Sequence, residues 1–231
     1  MNIKWHYKIF IFIGVTTALG WYLKHNTWNL GLSLTPKNPS STIASNPRSA
    51  SAITLQSGTA FSVPRALPAF SLTDSNHKLF SNKQLNDYWT FLFFGYTRCE
   101  SICPATLGKL AELSRLLGTH EDSDTQFVFV SIDPTHDTST ALNHYFSSNS
   151  QFKNTPFLGV TGAHSDIQKL ASQIGLFVSQ SNIPVNGHIE HSGTVLLINP
   201  DGKLAAVFSD TTNPHAMARD LSSLMHYYDN Q

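Results

Sequence analysis

The sequence predicts an α/β sandwich with a mixed central sheet, and three observations predict it. Trp89 to Gly95 and Gln126 to Asp133 are nearly continuous apolar runs. Such runs read as strands buried on both faces, as in a parallel or mixed sheet. Between them Ile102 to Leu117 carries a helical stripe, so strand and helix alternate. Near the C-terminus, Thr194 to Ile198 and Leu204 to Phe208 flank Asn199-Pro200-Asp201-Gly202, a strong hairpin turn, and a helix follows.

Taken in order, residues 1–24 read as a membrane segment. Lys4 and Lys8 precede an uncharged run from Ile9 to Leu23, and Lys24 closes it. The run falls short of the roughly 20 residues of a spanning helix. Trp5, Tyr7, Trp21 and Tyr22 supply interfacial aromatics, and snorkelling lysines extend the span. The positive start favours an N-in, single-pass anchor that places the rest of the chain outside the cytoplasm. Ala18-Leu19-Gly20 also fits a cleaved signal peptide, and both readings export the domain. Nothing ahead of the apolar run resembles a transit peptide, so the expected location is a bacterial inner membrane with the domain in the periplasm.

Residues 25–61 are rich in Ser, Thr, Asn and Pro, without period, and read as a flexible tether. Residues 62–231 read as one domain. Phe70 to Asp74 and His77 to Phe80 predict a small hairpin, and Ser81 caps a short helix through Asp87. After Ile102 to Leu117, Gly118 is a natural helix terminator. Thr138 to Ser147 and Ser165 to Ile174 predict helices, Phe157 to Val160 a short strand and Leu176 to Ser179 another. Asn213 and Pro214 open a last helix to about Tyr228.

Composition excludes some functions. Of 231 residues only 13% are charged, with Lys plus Arg and Asp plus Glu balanced at 15 each. A neutral chain without a basic cluster is a poor nucleic-acid binder, because phosphate neutralisation needs concentrated Lys and Arg. Two cysteines are too few for a disulfide scaffold.

Those two, Cys99 and Cys103, follow the first buried strand directly and open the helix. Spacing of i, i+4 puts both sulfurs on one face if the turn is helical. A thiol at a helix N-terminus is acidified by the exposed N–H groups, and Arg98 acts in the same direction. The pair can close a short disulfide or converge on one soft metal ion. Two thiolates suit Cu(I), and an added imidazole gives a trigonal site that also accepts Cu(II). Of eleven histidines, most sit in predicted turns or on helix faces, where solvation or capping is the ordinary role. His188 and His191 instead approach a buried strand after a polar loop, and His191 is the nearer. Asp133 ends the second buried strand beside the one that leads to Cys99. It either sets the charge and orientation of the site or caps the turn at Pro134-Thr135.

Gly95-Tyr96-Thr97-x-Cys99-x-x-x-Cys103-Pro104, then Val128 to Pro134 with Asp137-Thr138, then His191-Ser192 leading to Leu197 to Gly202, resemble the Sco/SenC family. The resemblance covers about residues 65–228. It implies a thioredoxin-like fold, copper held by Cys99, Cys103 and His191, and Asp133 as the acidic residue near that site. It implies a role in assembling the dinuclear copper site of cytochrome c oxidase. Three departures from the family pattern stand out: Glu100-Ser101 between the cysteines, Arg98 before them, and Glu190 before the histidine. None removes a ligand.

Two functions follow as expectations. The first is a membrane-tethered copper chaperone, not an enzyme, that passes copper to the copper-bearing oxidase subunit or another acceptor. The second is a thiol–disulfide oxidoreductase using Cys99 and Cys103, with a thiol reductant as partner. His191 discriminates them, since copper needs a third ligand and dithiol exchange does not.

Overall fold

The computed structural model describes residues 53–118, 124–152, 154–176 and 193–230. The membrane segment, most of the tether, the strand expected beyond Leu176, and His188 and His191 lie outside these. Among the described residues no helix is long and apolar enough to cross a membrane.

Among the described residues, eight strands make one mixed sheet, flanked by four α-helices. The strands are β1 (Gly58–Ala66), β2 (Ser71–Asp74), β3 (Leu79–Ser81), β4 (Trp89–Gly95), β5 (Thr125–Ser131), β6 (Phe157–Thr161), β7 (Val195–Ile198) and β8 (Lys203–Phe208). The helices are α1 (Ile102–Leu117), α2 (Ser139–Ser148), α3 (His164–Gln173) and α4 (Pro214–Asp229). Across the sheet the order is β1-β8-β7-β4-β5-β6-β2-β3.

Strand β4 is central because every one of its side chains is apolar enough to bury, and all seven residues are buried. It pairs in parallel with β5 and antiparallel with β7, which makes the sheet mixed. Gly95 pairs with Ser131, so β4 and β5 end side by side. The β4 end leads to Cys99 and the β5 end to Asp133, the adjacency expected from the sequence.

Phenylalanines knit the core across these strands. Phe91 and Phe127 are register partners and stack at 5.3 Å between ring centroids. Phe93 and Phe129, the next pair on that face, lie 6.1 Å apart. Phe146 of α2 sets its ring edge against Phe129 at 5.5 Å. Helix α2 comes this close to the sheet because β6 offers Gly159, where a Cβ would lie 2.8 Å from the Leu142 Cβ. Helix α1 buries Leu107, Leu110 and Leu113 and packs beside α4. It ends at Gly118, whose φ of 63° lets its N–H turn back to the Arg115 and Ser114 carbonyls.

Most predicted elements fall within a residue or two of their expected bounds. Two differ. Strand β1 takes in Gly58 to Phe61, which the sequence reading assigned to the tether. The ladder from β8 recruits it, with Gly58 opposite Phe208 and a register shift between Ala60 and Arg65. Just before it, the N–H groups of Gln56 and Ser57 both donate to the buried Asp220 carboxylate of α4 at 2.8 Å. The helix expected through Asp87 is a single 3₁₀ turn, Asn82–Leu85, closed by a Ser81/Gln84 capping box.

Candidate metal centre

The thiol loop begins where β4 ends. Tyr96 is buried, and its carbonyl accepts the Cys99 N–H at 3.2 Å, closing a tight turn over Thr97-Arg98. Cys99 therefore lies in the turn ahead of α1, and only Cys103 is helical. The expected shared helical face is replaced by a cap. Ser101 occupies the N-cap position but makes no side-chain cap bond. The Cys99 sulfur instead accepts the Cys103 N–H at 3.4 Å. A sulfur thus takes up one of the orphan donors at the helix start.

The two thiols differ in kind. Burial pushes the Cys99 thiol up, but the N–H groups of Cys103, Ser101 and Ile102 outweigh it and hold the thiol below its ordinary value. Burial pushes the fully enclosed Cys103 thiol well up, and its neighbours Cys99 and Asp137 add to that. No disulfide joins Cys99 and Cys103 in this structure. Cys103 Sγ rests against β4 at Gly95, where an added Cβ would lie only 2.8 Å from the sulfur. A side chain at position 95 would occupy the space of the thiol.

A second loop, after β5, grips the first. Asp133 is buried, and its Oδ2 accepts from Arg98 Nη2 at 2.6 Å. Its Oδ1 accepts from Thr135 Oγ1 at 2.7 Å and lies 3.0 Å from His136 Nδ1. The same His136 nitrogen lies 2.9 Å from Arg98 Nη2. Burial alone would raise the Asp133 carboxyl, but hydrogen bonds from His136, Arg98 and Thr135 hold it below its ordinary value. Asp133 thus caps the turn at Pro134-Thr135 and is ion-paired with Arg98, the residue before Cys99.

Sequence reasoning gave Asp137 no role, yet it is fully buried beneath the loop. One oxygen accepts the Thr97 N–H at 2.9 Å and the Ser131 hydroxyl at 2.6 Å, and the other accepts the Thr97 hydroxyl. Tyr145 of α2 was missed as well. Its hydroxyl is pushed up to about 12 by burial and by the charges of Cys103, Asp137 and Cys99. The one signal for Asp137 was the Asp133-x-x-x-Asp137 spacing directly after a buried strand.

Among the described residues no group of three or more His, Cys, Asp and Glu side chains could hold a metal ion. The structure brings Cys99, Cys103, Asp133 and Asp137 to one end of the sheet, and His191 lies outside the described residues. Gly193, two residues after His191 in sequence, packs against the first turn of α1: a Cβ on it would lie 2.6 Å from Ile102 Cδ1.

Residues 61–226 match the family model for SCO1/SenC. The chain belongs to the SCO1/SenC family. A Stutzerimonas stutzeri protein whose name proposes that it binds copper is 36% identical over 141 residues, covering 61% of this Sco/SenC chain and 67% of that protein. Among solved structures, the fold is similar to Arabidopsis thaliana ScoI with copper bound, at 25% identity and a TM-score of 0.61. That match covers 70% of this chain and 99% of the other. Bradyrhizobium japonicum ScoI with copper bound is 29% identical with a TM-score of 0.58, covering 68% and 98%. The Sco/SenC fold is the α/β arrangement with a mixed sheet described above.

Proposed function

We propose that this Sco/SenC protein binds copper through Cys99, Cys103 and His191 and delivers it as a chaperone. Copper is the cargo. The observation that carries the reading is the unequal thiol pair at the head of α1, with Gly193 seated on Ile102 between the two cysteines. His191 stands two residues before Gly193 in the sequence, a separation that chain length limits to about 7 Å. The soft donor set of two sulfurs and one imidazole suits Cu(I) and, as a trigonal site, Cu(II). The copper-bound relatives of Arabidopsis thaliana and Bradyrhizobium japonicum support the same reading.

In this scheme Cys99 and Cys103 bind as thiolates and His191 as a neutral imidazole. Asp133 stays ion-paired behind Cys99 and does not ligate. Transfer proceeds by ligand exchange with an acceptor, which the family resemblance makes the copper-bearing subunit of cytochrome c oxidase. The lysine-flanked apolar run from Ile9 to Leu23 tethers the chain N-in at a bacterial inner membrane, with the domain in the periplasm.

Copper titration of the reduced chain tests the site. One tight copper per chain is expected, lost in Cys99→Ala and in Cys103→Ala. His191→Ala is expected to change the Cu(II) absorption spectrum. Tight binding retained in the Cys99→Ala/Cys103→Ala double variant would sink the assignment.

The difference between the thiols favours a second reading, as a thiol–disulfide oxidoreductase. Cys99 is the acidified thiol that attacks, and enclosed Cys103 resolves the mixed disulfide. Cells carrying His191→Ala separate the two: intact oxidase assembly there, with loss in either cysteine variant, selects thiol chemistry over delivery.

A further inference from the structure

Beneath the thiol loop lies a charge with no counter-ion among the described residues. Asp137 is fully buried. The Thr97 N–H and the Ser131 hydroxyl donate to one of its oxygens, at 2.9 and 2.6 Å, and the Thr97 hydroxyl donates to the other. An acid side chain that only accepts is in its carboxylate form. None of the ion pairs among the described residues involves it. Asp133, on the same turn, is also buried, but Arg98 neutralises it at 2.6 Å. A buried charge without a counter-ion is costly to a fold, and hydrogen bonds from neutral groups offset only part of that cost.

Register places this charge on the thiol face of the sheet. Ser131 and Gly95 are parallel partners, and the side chains of such partners point to the same face. Cys103 Sγ rests on that face, 2.8 Å from where a Gly95 Cβ would stand. The Ser131 hydroxyl that holds Asp137 is therefore one strand over from the seat of the sulfur. Strand spacing and one hydrogen bond put carboxylate and sulfur at most about 12 Å apart. Burial raises both the Cys103 thiol and the Tyr145 hydroxyl, and the Asp137 charge adds to each rise.

We propose that Asp137 is a specificity-determining residue for the oxidation state of the bound metal: its uncompensated carboxylate favours Cu(II) over Cu(I) at Cys99, Cys103 and His191. This rests on the copper reading above. The basis is charge alone. Both copper states take the same two thiolates, so the cost of deprotonating them cancels in the ratio of the two affinities. What remains is the one additional positive charge of Cu(II), attracted by a fixed negative charge through protein. At about 12 Å and an effective dielectric constant of about 20, that attraction changes the ratio by about tenfold.

The test is anaerobic competition titration of the reduced full-length chain, with bicinchoninate for Cu(I) and nitrilotriacetate for Cu(II) at one pH. Its readout is the ratio of the two affinities. Asp137→Asn keeps the shape and loses the charge, and is expected to lower the Cu(II)-to-Cu(I) ratio by about tenfold. Ser131→Ala removes a hydrogen bond but leaves the carboxylate, and is expected to leave the ratio nearly unchanged. Circular dichroism checks the fold, and Asp137→Ser, smaller and also neutral, carries the test if Asp137→Asn does not fold. If neither neutral variant folds, Asp137 is structural and the proposal falls. An unchanged ratio in a folded neutral variant overturns it. So does an equal fall in Ser131→Ala, which would trace the effect to the loop rather than to the charge. A parent chain that binds neither copper state overturns the copper reading and this one with it. A parent that binds both, with the ratio unmoved in the variant, overturns this one alone.

Discussion

At the scale of single residues, the decisive feature is a sulfur used as a helix cap. Cys99 accepts from the head of α1, while Cys103, four residues on, is enclosed against Gly95. The same donors that complete the helix lower the Cys99 thiol, and burial raises Cys103. At pH 7 more of Cys99 than of Cys103 is therefore thiolate, the reactive form. Iodoacetamide on the reduced chain is expected to label Cys99 first, with peptide mass mapping as the readout; equal labelling would contradict the assignment. Asp137→Ala strips the partners from the Thr97 N–H, the Thr97 hydroxyl and Ser131 at once. We expect a loss of about 3 kcal/mol in urea unfolding, the scale for removing buried hydrogen bonds to a charged group. The cysteines and Asp133 were legible in the sequence because each sits at the end of a buried apolar run. Their pairing with Arg98 and Thr97 was not. Those residues lie 35 and 40 positions from their aspartates, and only the parallel register of Gly95 with Ser131 brings them together.

At the scale of elements, close approach depends on missing side chains. Gly159 lets α2 settle on β6, and Gly95 leaves room for the Cys103 sulfur. Gly159→Ala must push Leu142 aside and is expected to cost about 1–3 kcal/mol, the ordinary penalty of overpacking, with thermal melting as the check. Gly95→Ala is expected to destabilise the fold similarly and also to displace Cys103, so its mark is slower or lost reaction of the thiol pair. Strand β4 and helix α1 matched their sequence-read bounds because an unbroken apolar run and a helical stripe are each hard to satisfy otherwise. Strand β1 was not legible. It is an edge strand whose residues are only partly buried or exposed, so no alternation of apolar and polar residues marks it. Its β conformation comes from pairing with β8, a contact across the whole length of the domain's sequence.

For the molecule as a whole, the ion pair that steadies the thiol loop also ties the fold to pH. Asp133 has a lowered carboxyl when folded, against an ordinary value of 3.8. A depressed folded value adds stability above the ordinary value, and that stability drains away as pH falls through the folded one. Asp133→Asn is expected to be less stable than the parent at pH 7 and to lose less on acidification. The two denaturation curves should draw together below pH about 4; parallel curves down to acid would refute the role given to this carboxylate.

The Asp220 carboxylate on α4 has a mechanical meaning. It holds the N–H groups of Gln56 and Ser57, the last residues before β1, while β1 itself is zipped to β8. In the tethered arrangement proposed above, a tug from the membrane end is met by Ile53 and Leu55, which pack on the core, and by this mooring. It is then shared between the last helix and an edge ladder at the far side of the sheet order from β6. Strand β4, which leads to the thiols, and β5, which leads to Asp133, are separated from β1 by β8 and β7. The leash can be yanked without the jaws being bent.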